Sequence, residues 1–140
     1  MAYGKDFATS AKRHLRAATE LDLAFSAGSQ PGCKAVAGYL YGLAGELALK
    51  EIMRASGMKP DGSRRDDPFY AHFPELKTLL AAARVCGRRS GELRKFAESP
   101  TLFQYWNTDM RYAKTSDVKS DWVKGWQADA EKLVAALDIF

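Results

Sequence analysis

GCKAVAGYLYGLAGELALKEIMRAS, residues 32–56, reads as one long helix that is apolar nearly all round. Val36, Leu40, Leu43, Leu47 and Met53 keep roughly helical spacing, and Ala37, Ala44 and Ala48 widen the apolar surface. A helix apolar on most faces belongs in the middle of a bundle. Gly38, Gly42 and Gly45 recur on adjacent turns of one side. Each costs about 1 kcal/mol against alanine in a helix interior, so a compensating gain is implied. The expected gain is close approach of a neighbouring backbone, inside the protomer or across a dimer, with a kink as the alternative. Glu46 and Lys50 stand one turn apart in the favourable orientation, a pair worth about 0.3–0.5 kcal/mol when exposed. On so apolar a helix at least one of them is expected to be partly buried, and a buried carboxylate needs a partner. Arg111 is a candidate partner from another segment. Two readings follow: a salt bridge pinning the late loop to this helix, or a polar pocket shared by Glu46, Arg111 and Asp109.

On the N-terminal side, Phe7, Ala11, Leu15, Ala18, Leu21 and Phe25 form one helical stripe over about residues 5–27. Lys12, Arg13, Arg16 and Glu20 lie largely off it, as on an amphipathic outer helix. His14 borders the apolar face, where a boundary histidine is expected rather than a ligand. SAGSQPG, residues 26–32, favours a turn. So short a link makes the two long helices antiparallel neighbours. On the C-terminal side, Gly57 suits a left-handed helix cap. Residues 58–73 form the one long irregular stretch, with a turn at Asp61-Gly62 and the cluster Arg64, Arg65, Asp66 and Asp67. Loops of this length in compact domains tend to be functional or mobile.

Pro74 suits the first position of a helix over residues 74–86 that buries Leu76, Leu79, Leu80 and Ala83 and ends at Gly87. SGELRKFAE, residues 90–98, is a short helix burying Leu93, Phe96 and Ala97. Ser99-Pro100 restarts the chain. Leu102, Phe103, Trp106 and Met110 then space as a helix, although that aromatic density also suits an irregular packed segment. The pattern is lost over residues 111–116. Trp122, Val123, Trp126, Ala130, Leu133, Val134 and Leu137 mark a last helix from about Ser120. With no strand alternation, repeat or second domain in view, the expectation is an all-α, up-and-down bundle of four to five helices, one domain over residues 1–140.

A chain of 140 residues can bury a real core. Its 46% hydrophobic and 27% charged residues argue against disorder. A formal charge of +4 suits contact with phosphates without demanding it. The charged opening MAYGKDFATSAKRHLR is unlike a secretory signal. No run approaches the roughly 20 apolar residues that span a bilayer. A cytoplasmic protein with Cys33 and Cys86 reduced, and no membrane partner, is therefore expected. The sequence has no E-x-x-H for a di-iron bundle, no partners at zinc spacing for His14 and His72, no phosphate-binding glycine loop and no G-x-S-x-G elbow. No metal and no cofactor are expected.

Three pieces, in order, carry a family likeness. A basic, alanine-rich run leads (AKRHLRAATELDLA). A central helix follows with Ala37, Tyr39, Leu40, Gly42, Ala44, Glu46, Ala48, Leu49 and Lys50 in the pattern A-x-Y-L-x-G-x-A-x-E-x-A-L-K. Soon after comes H-x-x-x-L-x-x-L-L, here His72, Leu76, Leu79 and Leu80. With a late Arg111-Tyr112 preceded by Trp106, the chain resembles the HEPN domains (higher eukaryotes and prokaryotes nucleotide-binding), small helical bundles common in bacteria. The resemblance implies a homodimer. It also implies one of two kinds of protein: a ribonuclease or toxin, often encoded with a minimal nucleotidyltransferase partner, or a non-catalytic nucleotide- or RNA-associated module. Catalytic members carry arginine, four to six residues, then histidine, late in the fold. Histidine can move a proton near neutral pH, and arginine can hold charge developing on phosphate. Here the positions after Arg111 where that histidine would fall are Ser116, Asp117 and Val118, and no histidine follows His72. Arg65 and His72 match the spacing but lie in the earlier loop.

The expected function is thus a HEPN-like nucleotide-, RNA- or partner-binding module, non-catalytic, with a toxin–antitoxin or nucleotidyltransferase-associated system as its implied setting and ligand-binding residues Glu46, Lys50, Asp109, Arg111 and Tyr112. The alternatives are an atypical metal-independent ribonuclease using Arg111 or Arg65 and His72, and a purely structural dimeric subunit. Two further features have a structural and a functional reading each. Phe103, Tyr105, Trp106 and Trp122 are expected to pack in the core or a dimer interface, with base stacking as the alternative. Arg84, Arg88, Arg89, Arg94 and Lys95 are a solvated connection or a phosphate-binding patch.

Overall fold

A computed structural model describes residues 4–28, 33–61, 66–83, 87 and 89–138. Among these residues there are helices, turns and loops and no strand: the protein is all-α. Helix α1 spans Phe7–Ser26, α2 Lys34–Ala55, α3 Glu75–Ala82, α4 Ser90–Glu98 and α5 Ser120–Ala136. Short 3-10 turns cover Pro68–Tyr70, Thr108–Tyr112 and Thr115–Asp117.

The helix ends follow from their sequences. The Asp6 carboxylate accepts from the Thr9 backbone N–H at 3.0 Å and from its hydroxyl at 2.8 Å, capping α1. Gly57, at φ +89°, closes α2 as expected. The Met58 N–H reaches the Met53 carbonyl and the Gly57 N–H the Arg54 carbonyl, the paired bonds of a glycine C-cap. The helices α1 and α2 run antiparallel. Asp22, late in α1, accepts from the Tyr41 hydroxyl at 3.2 Å and sits 3.5 Å from the Lys34 ammonium, both early in α2.

The α2 helix occupies the middle, with α1 and α5 against it and α3 and α4 packed on each other beside it. Its Tyr41, Leu49, Ile52 and Met53 are fully buried, joined in the core by Leu76, Leu93, Val123 and Leu133. Val36, placed on the apolar stripe by spacing, is instead 46% exposed, whereas Ala37 and Gly38 beside it are buried. Arg89 is buried. It bonds Glu92 in two places and the Ala136 carbonyl at 2.9 Å, tying α4 to the end of α5. That use removes it from the expected basic connection. Arg94 and Lys95 are exposed, and Arg84 and Arg88 lie outside the described residues.

The helix expected over Leu102–Met110 does not form. Residues 101–105 make an irregular turn in which Phe103 and Tyr105 take left-handed backbone angles (φ +51° and +71°), and a 3-10 turn follows. Such angles are costly for bulky residues, so tertiary contacts must hold them. Ser99 Oγ accepts from Leu102 N–H at 3.2 Å and Asp129 from Phe103 N–H at 2.9 Å. The Trp126 indole N–H donates to the Gln104 carbonyl at 2.8 Å. Lys77 supports the same turn from beneath, donating to the Ser99 carbonyl and, at 2.9 Å, to that of Leu102.

This turn also explains the glycines of α2. The atoms nearest a Cβ at each belong to side chains, chiefly aromatic rings, and not to backbone. A Cβ at Gly42 would lie 2.0 Å from the Trp106 indole, one at Gly45 2.2 Å from the Phe103 ring, and one at Gly38 2.9 Å from the Trp126 ring. The bare Cα of Gly42 lets the Trp106 N–H reach the Gly38 carbonyl, one turn earlier, at 3.1 Å. The compensation for three glycines is thus a row of seated rings within the chain.

Candidate functional site

Past the last of these glycines, α2 presents Glu46 and Lys50, only 2% and 7% exposed. Glu46 does not meet Arg111. Its Oε1 accepts from the Phe73 backbone N–H at 2.7 Å, and its Oε2 lies 2.8 Å from His72 Nδ1. Phe73 is anchored in the core, stacked on Phe103 at 4.7 Å and edge-on to Trp106 at 6.2 Å. Neighbouring His72 is thereby fixed at the surface, its side chain 54% exposed. With Glu46 ionised the carboxylate only accepts, so Nδ1 then carries the proton and Nε2 is the ring's remaining nitrogen for a ligand. This is the geometry that orients an imidazole for binding an acid or for moving a proton.

Burial pushes the Glu46 carboxyl up, against the bonds from His72 and Phe73 and the charge of Lys50, which favour its ionised form. Burial likewise pulls the Lys50 ammonium down, against the attraction of Glu46. Lys50 makes no hydrogen bond or ion pair among the described residues. The one fully buried side-chain atom there without a partner is the Ser56 hydroxyl, so the Lys50 ammonium keeps a point of contact with solvent. Asp67 also bears on Lys50, while its own oxygens accept from the Phe69 N–H at 3.0 Å and from the Asp61 N–H. Lys5 and Tyr70 complete the surface. The Lys5 ammonium lies 3.5 Å from the Tyr70 hydroxyl and 4.7 Å from its ring centroid.

The other expected site residues lie elsewhere. Arg111 is exposed, stacked 4.9 Å over the Tyr112 ring, and lines a shallow hollow with Cys33, Val36 and Tyr39 at the start of α2. Tyr112 is 77% exposed, and Asp109 is exposed with its N–H bonded to Asn107. Glu46 lies seven residues beyond Tyr39, about 10 Å further along the helix. The separation has a cause: the rings of residues 103 and 106 occupy the glycine side of α2, which sets residues 108–112 down over its first turns. Arg65 lies outside the described residues. The Phe73 amide, Tyr70 and Lys5 were not anticipated; Phe73 was signalled only by its place beside His72. Among the described residues no three His, Cys, Asp or Glu gather as a metal site, and no helix is long and apolar enough to cross a membrane.

Comparison of the chain with protein families, with curated proteins and with solved structures gives no match to any of them.

Proposed function

We propose that the protein is a HEPN-like module that binds a nucleotide or RNA through a phosphate, at the surface formed by His72, Lys50, Lys5 and Tyr70. One observation carries the reading. A half-exposed histidine is held by a buried glutamate beside a buried ammonium that has no hydrogen-bond partner among the described residues. Phosphate oxygens accept from the Lys50 ammonium and, when the ring takes a second proton, from His72 Nε2, and these cations offset the repulsion of Glu46. The Tyr70 hydroxyl adds a donor, and Lys5 a mobile cation.

Titration with a nucleoside triphosphate and with a short RNA at low salt tests it. Binding is expected to weaken with salt and to fall about tenfold or more in Lys50→Met and in His72→Ala, with each variant still folded by circular dichroism. A wild-type protein that binds neither ligand overturns the reading.

A second reading, a metal-independent ribonuclease, is favoured by the 2.8 Å Glu46–His72 bond itself. In it, Nε2 takes the proton of a ribose hydroxyl while Lys50 faces the phosphate. Cleavage of bulk RNA that disappears in His72→Gln would replace binding by catalysis. Retention of all cleavage in that variant would remove His72 from the chemistry.

A further inference from the structure

The turn that seats rings on α2 turns its other side outward, and what it presents there is not required by the core. Tyr105 is 63% exposed and stacks on Trp122 with centroids 4.8 Å apart. Trp122 in turn leans on Trp126 at 6.3 Å, and the Lys119 ammonium stands 5.2 Å from the Trp122 ring. With one ring face against Trp122, the other face of Tyr105 is open. At φ +71° a glycine or asparagine would sit there more cheaply than tyrosine. An aromatic at a strained, exposed position is the kind of outlier from which a functional reading is drawn.

The same turn borders a groove of about 710 Å³ between α4 and α5. Phe96, Leu102 and Ala135 line its apolar part, and Thr101, Lys95 and Lys132 its polar part. Glu92 is paired with Arg89, while one oxygen of Asp129 accepts from the Phe103 N–H and its charge is felt by Lys132 and Lys77. Lys95 and Lys132 make no hydrogen bond or ion pair among the described residues. A ligand there meets two ammoniums, the Ser99 and Thr101 hydroxyls, 3.4 Å apart, and the Asp129 carboxylate. From Trp122 to Lys132 the helix runs about 15 Å at ~1.5 Å per residue, with the turn alongside it.

We propose that single-stranded RNA binds along this face of α5, with one base stacked on the open face of Tyr105 and the neighbouring phosphates passing to Lys132 and Lys95. Every base has a face to stack, so the site tolerates any sequence, and the lysines track the backbone. The inference rests on the nucleic-acid reading above but uses different residues, so the two can fail separately.

The test is fluorescence polarisation of a labelled oligoadenylate, titrated at several salt concentrations, beside titration with a single nucleotide. In Tyr105→Gly, affinity for the oligomer is expected to drop about tenfold while the melting temperature holds or rises, since glycine suits the backbone angle. In the double variant Lys95→Gln with Lys132→Gln, the slope of log K against log salt should flatten by about 1.4, two contacts at ~0.7 each. Single-nucleotide binding lost only in Lys50→Met would leave the Lys50 site standing on its own. Unchanged oligomer affinity in Tyr105→Gly overturns the proposal, as does no oligomer binding at all. Competition by oligoglutamate as effective as by RNA overturns it too, in favour of an acidic peptide partner.

Discussion

Residues 36–45 and residues 46–55 belong to one helix, yet their glycine- and charge-bearing sides are covered by different means. In the first half, glycines make room and rings fill it: Trp126 on Gly38, Trp106 on Gly42, Phe103 on Gly45. In the second half, two charged side chains are buried, and a single histidine, one backbone amide and nearby charges answer them. The first half gains packing and a unique register. The second keeps a polar group at the surface, His72, whose orientation depends on what is buried beneath it. A helix can thus be a structural spine along one stretch and the support of a site along the next.

The sharpest way to break this contrast is to put a methyl group into the first half. Gly42→Ala should cost about 3 kcal/mol by urea denaturation, even though alanine favours the helix by about 1 kcal/mol. Gly45→Ala should cost about 2 kcal/mol. Gly38→Ala should be milder still, because its neighbours stand off at 2.9–3.1 Å. If Gly42→Ala matched the wild type in stability, the seating of Trp106 would not be what the glycine serves.

For the second half, Glu46→Ala should cost about 2 kcal/mol, the loss of a charge-assisted bond that leaves the Phe73 N–H unsatisfied. Glu46→Gln keeps an acceptor for that amide and should cost less. Because burial raises the Glu46 pKa above its ordinary 4.5, the folded protein takes up the proton before the unfolded chain does as pH falls. Its contribution to stability is then complete below about 4.5 and is lost as pH rises through the folded value. The stability of Glu46→Gln relative to wild type should therefore improve as pH rises through that window. A difference that stays flat with pH would mean that Glu46 is not strained by burial.

The junction of the two halves is the turn over residues 101–105, and here the sequence was least legible. The spacing of Leu102, Phe103, Trp106 and Met110 matches a helix as well as it matches the observed turn, since local periodicity carries no record of where rings come to rest. The five helices and the cap at Gly57 were legible because propensity and burial agree there, although α3 stops at Ala82 with Ala83 already extended, short of the end expected at residue 86. The partner of Glu46 was not. His72 carried a family pattern and Arg111 carried complementary charge, and the choice between them was made by the aromatic turn, through contacts distant in sequence. Asp129→Ala tests that turn directly. Losing the acceptor for the Phe103 N–H should cost about 1 kcal/mol. If His72 is held through Phe73 and Phe103, it should also broaden the His72 ring resonances in NMR spectra. Sharp, unmoved resonances would uncouple the turn from the site.

The smallest expected effect concerns the side of the first half that faces α1. Tyr41 is fully buried there, its hydroxyl donating to Asp22, and burial, with the Asp22 charge adding to it, pushes its pKa up from 10 to about 12. Tyr41→Phe should cost about 0.5 kcal/mol at neutral pH, the low end for a single hydrogen bond. Its signature lies at high pH. Below pH 10 both folded and unfolded chains hold the proton, so the contribution of Tyr41 is complete. Between 10 and about 12 the unfolded chain releases it first, and wild-type stability falls as pH rises. The phenylalanine variant lacks that component, so the gap between the two proteins should close or reverse across this window. Parallel pH profiles would mean that water reaches the hydroxyl. The first half of α2 would then resemble the second in keeping a polar group in contact with solvent.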